Sequence, residues 1–396
     1  MISNGSKQEY LLAIRSRYLT ANKREKQAIL DEFCAVCGYH RKYAIRVLRS
    51  QPQPKSSSPT TQRGRKKKYH LPELIEFLKA LWIAANLACG KRLKAMIPNW
   101  LPHYPQSLTD EIKNLLATIS ASTIDRLLKP QRAKHQKSGL STTKPGSILK
   151  HHIPIRTNQW DETKPGFLEI DTVAHCGTSG EGMFVFTVNG VDIATGWTEQ
   201  RAVWGKGERG VLDAVKSIEV ALPFPLLGFD CDNGSEFLNW HLQRYLTQRQ
   251  NPVQYTRSRP YHKNDNAHVE GKNWTHVRQY LGYSRFDRQE LTPLLNALYT
   301  SEAWRGLLNF FLPSVKLQEK SRQGAKIIRK HDSPKTPLQR VLQSPHVNEQ
   351  TKQQLREQFQ GLNPFVLQQQ IRQMIKPILA QLNTATAAPE PTAPKP

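Results

Sequence analysis

The chain has 396 residues, 38 % of them hydrophobic, and a formal net charge of +25. That length holds roughly two to four domains of ordinary size, and the charge attracts polyanions without dictating the fold. No apolar run approaches the ~18–20 residues of a membrane span. The N-terminus lacks a signal-peptide pattern, and an odd five cysteines form no disulfide ladder, so no membrane association is expected and the chain reads as cytosolic, with nucleoid association when bound to DNA. The charge is uneven. Residues 1–150 hold 28 Lys and Arg against 9 Asp and Glu, which suggests a nucleic-acid grip joined to a more balanced second half.

Residues 8–50 carry helical periodicity through Leu11, Leu12, Ile14 and Tyr18, then Ile29, Leu30, Phe33 and Val36. Gly38 interrupts it, and the basic stretch HRKYAIRVLRS follows. The outline predicts a helix-turn-helix DNA-binding domain over 1–50, with Arg41, Lys42 and Arg46, followed by Arg49, on the DNA-facing helix. Cys34, Cys37 and His40 hint at zinc but lack a fourth ligand, so core packing is the better reading. Residues 51–70 read as a basic linker. Within it Arg63, Arg65, Lys66 and Lys67 are candidate DNA contacts, and Arg63-Gly64-Arg65 partly resembles an AT-hook. Residues 71–130 predict a second helical, helix-turn-helix-like domain, with Ser122, Thr123 and Arg126 pointing outward from its last helix. Residues 131–159 form a second basic linker.

From about 160 the pattern changes. FLEIDTVAH alternates as strands do, and two further strands follow around a turn at Asn189-Gly190 or at Ala194-Thr195-Gly196. An amphipathic helix (210–222), a strand (226–234), a helix (239–249), a strand (253–259) and a helix (266–282) complete the series. This order predicts an RNase H-like α/β core over 160–290, a mixed five-stranded sheet flanked by helices. Residues 291–382 read as mostly helical, and 383–396 as a low-complexity disordered tail. His151, His152 and His175 read as surface or DNA-facing side chains.

Asp171 falls within an apolar strand, where an unpaired carboxylate is costly. Asp232 stands where the fourth strand ends, and Glu270 lies on the helix after the fifth. In an RNase H-like sheet the first strand is central and the fourth lies beside it, so the three carboxylates meet. Phosphodiester transfer needs an activated oxygen nucleophile and a neutralised reaction centre. Two divalent ions about 3.5–4 Å apart supply both. Mg²⁺ or Mn²⁺, held by hard oxygen donors, is the expected pair. Asn233 is expected to orient Asp232. Glu236 is expected to stand behind the ligands, and Asp230 is the rival of Asp232. Arg257, Arg259, Lys263 and Lys272 are expected along the DNA path, with His262, Asn273, His276 and Arg278 beside them.

These segments resemble the catalytic core of the DDE transposase and retroviral integrase superfamily, especially the integrase-core transposases of bacterial insertion sequences. EIDTV resembles the strand of the first catalytic Asp, DNGSEF (232–237) the second motif and NDNAHVEGKNW (264–274) the third. Thirty-seven residues separate Asp232 from Glu270, close to the spacing behind the superfamily's nickname. The resemblance covers about residues 160–285. It implies that Asp171, Asp232 and Glu270 are the catalytic metal ligands, and that the chain cuts the 3′ ends of a mobile element and joins them to target DNA. Double-stranded DNA and other copies of the chain, assembled on DNA, are the implied partners. A metal nuclease without joining activity and a transposase-derived DNA-binding regulator are the rival readings.

Overall fold

The structure is a computed structural model that describes residues 4–50, 68–133, 162–232, 234–257, 267–324 and 326–383. The chain divides into two units, Met1–Lys67 and Lys68–Pro396. The first contains α1 (Asn4–Thr20), α2 (Lys23–Cys37) and α3 (Arg41–Arg49). The periodicity ahead of Gly38 is broken at Asn22 by reciprocal caps. The Asn22 side chain accepts from the Glu25 amide (3.0 Å), and Glu25 accepts from the Asn22 amide (2.9 Å), the pairing of a capping box. Gly38, at φ 65°, ends α2 in a left-handed conformation, which glycine adopts without steric cost. Ile14, Tyr18, Ile29, Leu30, Phe33, Cys37, Ala44 and Leu48 form the core of this unit. Cys37 packs inside it and His40 caps α3.

The second unit starts with four helices, α4 (Pro72–Ala84), α5 (Gly90–Trp100), α6 (Asp110–Thr118) and α7 (Ala121–Arg132). A sheet follows, made of β1 (Phe167–Ala174), β2 (Val185–Asp192) and β3 (Thr198–Trp204), then α8 (Glu208–Ala221), β4 (Gly228–Cys231), α9 (Trp240–Thr247) and β5 (Gln254–Arg257). The next helix runs as α10 (Ala267–Lys272), a π-helical stretch (Asn273–Arg278) and α11 (Gln279–Leu281). After it come α12 (Leu291–Thr300), α13 (Glu302–Gly306), a second π-helical stretch (Leu307–Phe311), β6 (Leu317–Gln323), β7 (Lys326–His331), α14 (Pro337–Gln343), α15 (Glu349–Gln360) and α16 (Pro364–Asn383). The region after 291 is thus helical apart from an exposed two-stranded ribbon of β6 and β7.

The sheet order is β3-β2-β1-β4-β5. β1, β2 and β3 pair antiparallel, whereas β4 joins β1 and β5 in parallel. The sheet is therefore the mixed five-stranded one expected, with the first strand central and the fourth beside it. β2 runs straight through Asn189-Gly190, and the turn falls at Gly196 (φ 74°). Alternation along the strands divides the faces. Leu168, Ile170, Val188, Phe229 and Cys231 pack with Val211, Val215, Leu242 and Leu246 of α8 and α9. The opposite face meets the helices after β5. There a larger core joins Val173, Val185 and Ala202 to α4–α7 and to α12–α16. One apolar core thus spans segments that the sequence analysis treats as separate domains. Periodicity marks which face of a helix is apolar but not which helix covers it.

Candidate active site

Asp171 and Asp232 stand on neighbouring parallel strands. The register pairs Ile170 with Cys231, so the residue after each falls at the same end of the pair, with strands about 4.8 Å apart. Burial and then the charge of Asp232 push the Asp171 carboxyl up to about 7. Burial also raises Asp232, and Glu236 adds to the rise while the Gly234 amide opposes it. Both groups are held in place. Asp171 Oδ1 accepts from the Thr172 amide (2.7 Å) and Oδ2 from Asn273 Nδ2 (2.7 Å). Asp232 Oδ1 accepts from the Gly234 amide (2.9 Å). A Cβ at Gly234 would lie 2.7 Å from the Glu236 carboxyl carbon and 2.9 Å from Asp232 Oδ1, so a side chain there would push both carboxyl groups out of place.

Glu270 is exposed in the first turn of α10, and its charge also raises Asp171. α10 is docked by a residue that the sequence analysis overlooked. Glu169, two positions before Asp171 on the same face of β1, accepts from the His268 and Val269 amides through one oxygen, 3.0 Å each. A buried carboxylate so placed fills the unpaired amides at a helix start. Burial raises Glu169 to about 8, opposed by the Val269 amide and reinforced by Asp230. Asp230 lies opposite Glu169 in the register and accepts from Thr256 Oγ1 (2.5 Å). It is buried deeper along the strand than Asp232. Two acids at i and i+2 in the otherwise apolar FLEID were the available signal for Glu169.

A chain of buried amides backs Asp171. Asn273 Oδ1 accepts from Asn189 Nδ2 (2.7 Å), Asn189 Oδ1 from Gln200 Nε2 (3.0 Å), and Gln200 Oε1 from Trp304 Nε1 (2.9 Å). Asn273 is the first residue of the π-helical stretch, a distortion that frequently marks functional positions. Glu236 is buried and accepts from Thr172 Oγ1 (3.2 Å) and Lys206 Nζ (3.4 Å). The cap of α9 is Asn239.

Among the described residues, no three His, Cys, Asp or Glu side chains converge tightly enough to form an ion cage by themselves. The donors nevertheless suit a hard divalent cation. They are carboxylate oxygens, two of them half-buried, with the charge of Asp232 raising Asp171 and that of Glu236 raising Asp232, and a bound cation would offset that repulsion.

No protein-family model matches the chain. It is 41% identical over 349 residues to an uncharacterized protein, y4rM, of Sinorhizobium fredii (strain NBRC 101917 / NGR234), a match covering 86% of this chain and 96% of that protein. The chain belongs to the family of y4rM. A similar solved structure is the catalytic core domain of BIV integrase, at 17% identity and a TM-score of 0.27, covering 46% of this chain and 96% of that one.

The expected DNA contacts of this y4rM-family chain fall into four groups. Arg41, Lys42 and Arg46 are exposed on α3, where Arg41 pairs with Asp31 and Arg46 lies 5.0 Å from the Tyr43 ring centre. On α7, Ser122 and Arg126 are exposed, while Thr123 is half-buried and bonds to Ser120, the helix cap. Arg257 and Lys272 are instead buried, which corrects their expected place along an open DNA path. Arg257 ends a strand of the sheet, and Lys272 turns into a cavity beside α10. Burial and Arg92 beside it bring Lys272 down to about 7. His276 is buried as well. His175, expected at the surface, is fully buried, stacked on Phe286 and bonded to Thr187 (2.8 Å). Arg63, Arg65, Lys66, Lys67, Asn233, Arg259, His262 and Lys263 lie outside the described residues, as do His151, His152 and most of both linkers. No described helix is long and apolar enough to cross a membrane.

Proposed function

We propose that the chain is a DNA transposase or integrase, a polynucleotidyl transferase that cuts the ends of a mobile element and joins them to target DNA. One observation carries this reading. Asp171 and Asp232 stand half-buried side by side, one on β1 and one at the end of the parallel β4, and the helix bearing Glu270 is docked on the same sheet face. Asp171, Asp232 and Glu270 would hold two Mg²⁺ or Mn²⁺ ions, which supply nucleophile activation and charge neutralisation when bound. The remaining work belongs to the chain. Asn273 and the Thr172 amide fix the rotamer of Asp171, the Gly234 amide fixes Asp232, and Glu169 seats α10, which keeps Glu270 near enough for its charge to act on Asp171. Lys206 and Thr172 hold Glu236 behind them. The exposed basic face of α3 would grip element ends through phosphate and groove contacts. Joining two ends calls for more than one copy of the chain on DNA.

The test uses purified full-length protein and the DNA flanking its coding region. Metal-dependent nicking at the element ends is expected, followed by joining of pre-cut ends to a plasmid. Asp232→Asn should abolish both steps and leave end binding in a gel-shift assay within about twofold of wild type. Cleavage without joining would move the assignment to a nuclease. Absence of metal-dependent cleavage on every end fragment would refute the enzyme reading.

A further inference from the structure

Beside α10 lies a cavity of about 640 Å³, within the size range of small-ligand sites. Its walls come from α5, α10 with its π-helical continuation, the end of β2, and the ribbon of β6 and β7. Among the described residues, four Arg and Lys side chains line it (Arg92, Lys272, Lys316 and Arg329), together with three histidines. Among the described residues of the lining, Glu319 alone is acidic. The floor is the most enclosed part. Lys272 is 8 % exposed and His276 2 %, with Lys272 Nζ 3.2 Å from His276 Nε2. The charged neighbours that bear on Lys272 are Arg92 and Arg340, both cations. Lys316 differs, since Asp192, Asp332 and Glu169 offset its charge.

Backbone contacts hold the walls in place. Arg92 Nε donates to the Pro313 carbonyl (2.7 Å), and Lys316 Nζ to the Ala194 carbonyl (3.0 Å). At the mouth, Arg329 and His331 alternate along β7 with Lys330, which does not line the cavity. Cations buried in like company are costly unless an anion joins them. Guanidinium and ammonium groups converging from several elements match the several oxygens of a phosphate group.

We propose that this cavity, lined by residues of α10 on either side of Glu270 but not by the three carboxylates themselves, binds a phosphate-bearing anion. The chemistry is common to a free nucleotide and to a phosphorylated DNA end, and titration tells them apart. Full-length protein is titrated at constant ionic strength with pyrophosphate, a 5′-mononucleotide, and a short single strand with and without its 5′-phosphate. Saturable binding of at least one phosphate compound is expected by calorimetry. Arg329→Gln should weaken it about tenfold or more, the worth of a charge-assisted hydrogen bond. Lys330→Gln, which removes the same charge from the same strand outside the cavity, should change it less than about twofold. Lys272→Met, with folding checked by its melting curve, should abolish it. Binding of small phosphates alone upholds the site and assigns it to a free nucleotide. A preference for the 5′-phosphorylated strand upholds it and assigns it to a DNA end. No saturable binding at millimolar ligand would overturn the proposal. So would equal losses in Arg329→Gln and Lys330→Gln, the signature of diffuse surface charge.

Discussion

Replacing Asn273 by Ala tests whether the amide chain behind Asp171 governs the site. The substitution removes the donor to Asp171 Oδ2 and the acceptor for Asn189 Nδ2, both 2.7 Å contacts. Each polar group left unpaired in the interior costs about 1–3 kcal/mol, so a stability loss on the order of 2–4 kcal/mol is expected. The effect on function should be larger than the loss of folded protein, because Asp171 loses the bond that fixes its orientation. Partners that orient metal-binding side chains change metal affinity or activity by about 10- to 100-fold when removed. The readout is the Mg²⁺ or Mn²⁺ concentration for half-maximal cleavage, measured where a melting curve shows the variant folded. Asn273→Ala should move that midpoint upward at least about tenfold. Asn273→Asp should do worse, since it sets a further acid against a carboxylate already raised by Asp232 and Glu270. Asn189→Ala should produce part of the same shift by releasing Asn273. A folded Asn273→Ala protein with an unchanged metal midpoint would refute the positioning role.

Further outcomes follow from other contacts. Glu169→Gln keeps a carbonyl oxygen for the His268 and Val269 amides, so cleavage should stay within about threefold of wild type, whereas Glu169→Ala leaves two helix-start amides unpaired and should lower it about tenfold or more; equal activities would show that Glu169 does not seat the helix. Gly234→Ala should lower cleavage more than it lowers the melting temperature, because the added Cβ presses on Glu236 and Asp232; full activity would mean that this turn tolerates the crowding. Burial brings His175 down to about 3, and Arg278 adds to the drop, so the native state keeps it neutral while the unfolded chain protonates it near pH 6.5. Its contribution is complete above that value and is lost as pH falls toward 3, about 2 kcal/mol of it by pH 5. Denaturant titrations at pH 7 and 5 should show this difference in wild type and less of it in His175→Gln, and identical slopes would exclude His175 as the cause.

Much of the sheet was legible because strand and helix periods differ, and the order of strands and helices from Phe167 to Leu281 follows from that difference alone. DNGSEF was legible for a local reason: a strand end, a tight glycine turn and the following helix are written in consecutive residues. The break at Asn22 was also local, since Asn-x-x-Glu is a capping box, but continuous apolar spacing on both sides concealed it. The ribbon of β6 and β7 was hidden by its exposure. Ile327 and Ile328 are both surface residues, so neither strand shows the apolar alternation that a covered face imposes. Burial of charge is harder still. Lys272, Arg257 and His175 read as surface groups because lone polar side chains usually are, and only packing from distant segments encloses them. Lys272 shows why this matters. Arg92 lies far earlier in the sequence and Arg329 later, and the three line one cavity only after α5 and the ribbon close on α10. A contact set assembled from three remote segments has no period and no spacing, so its chemistry becomes visible only in the folded chain.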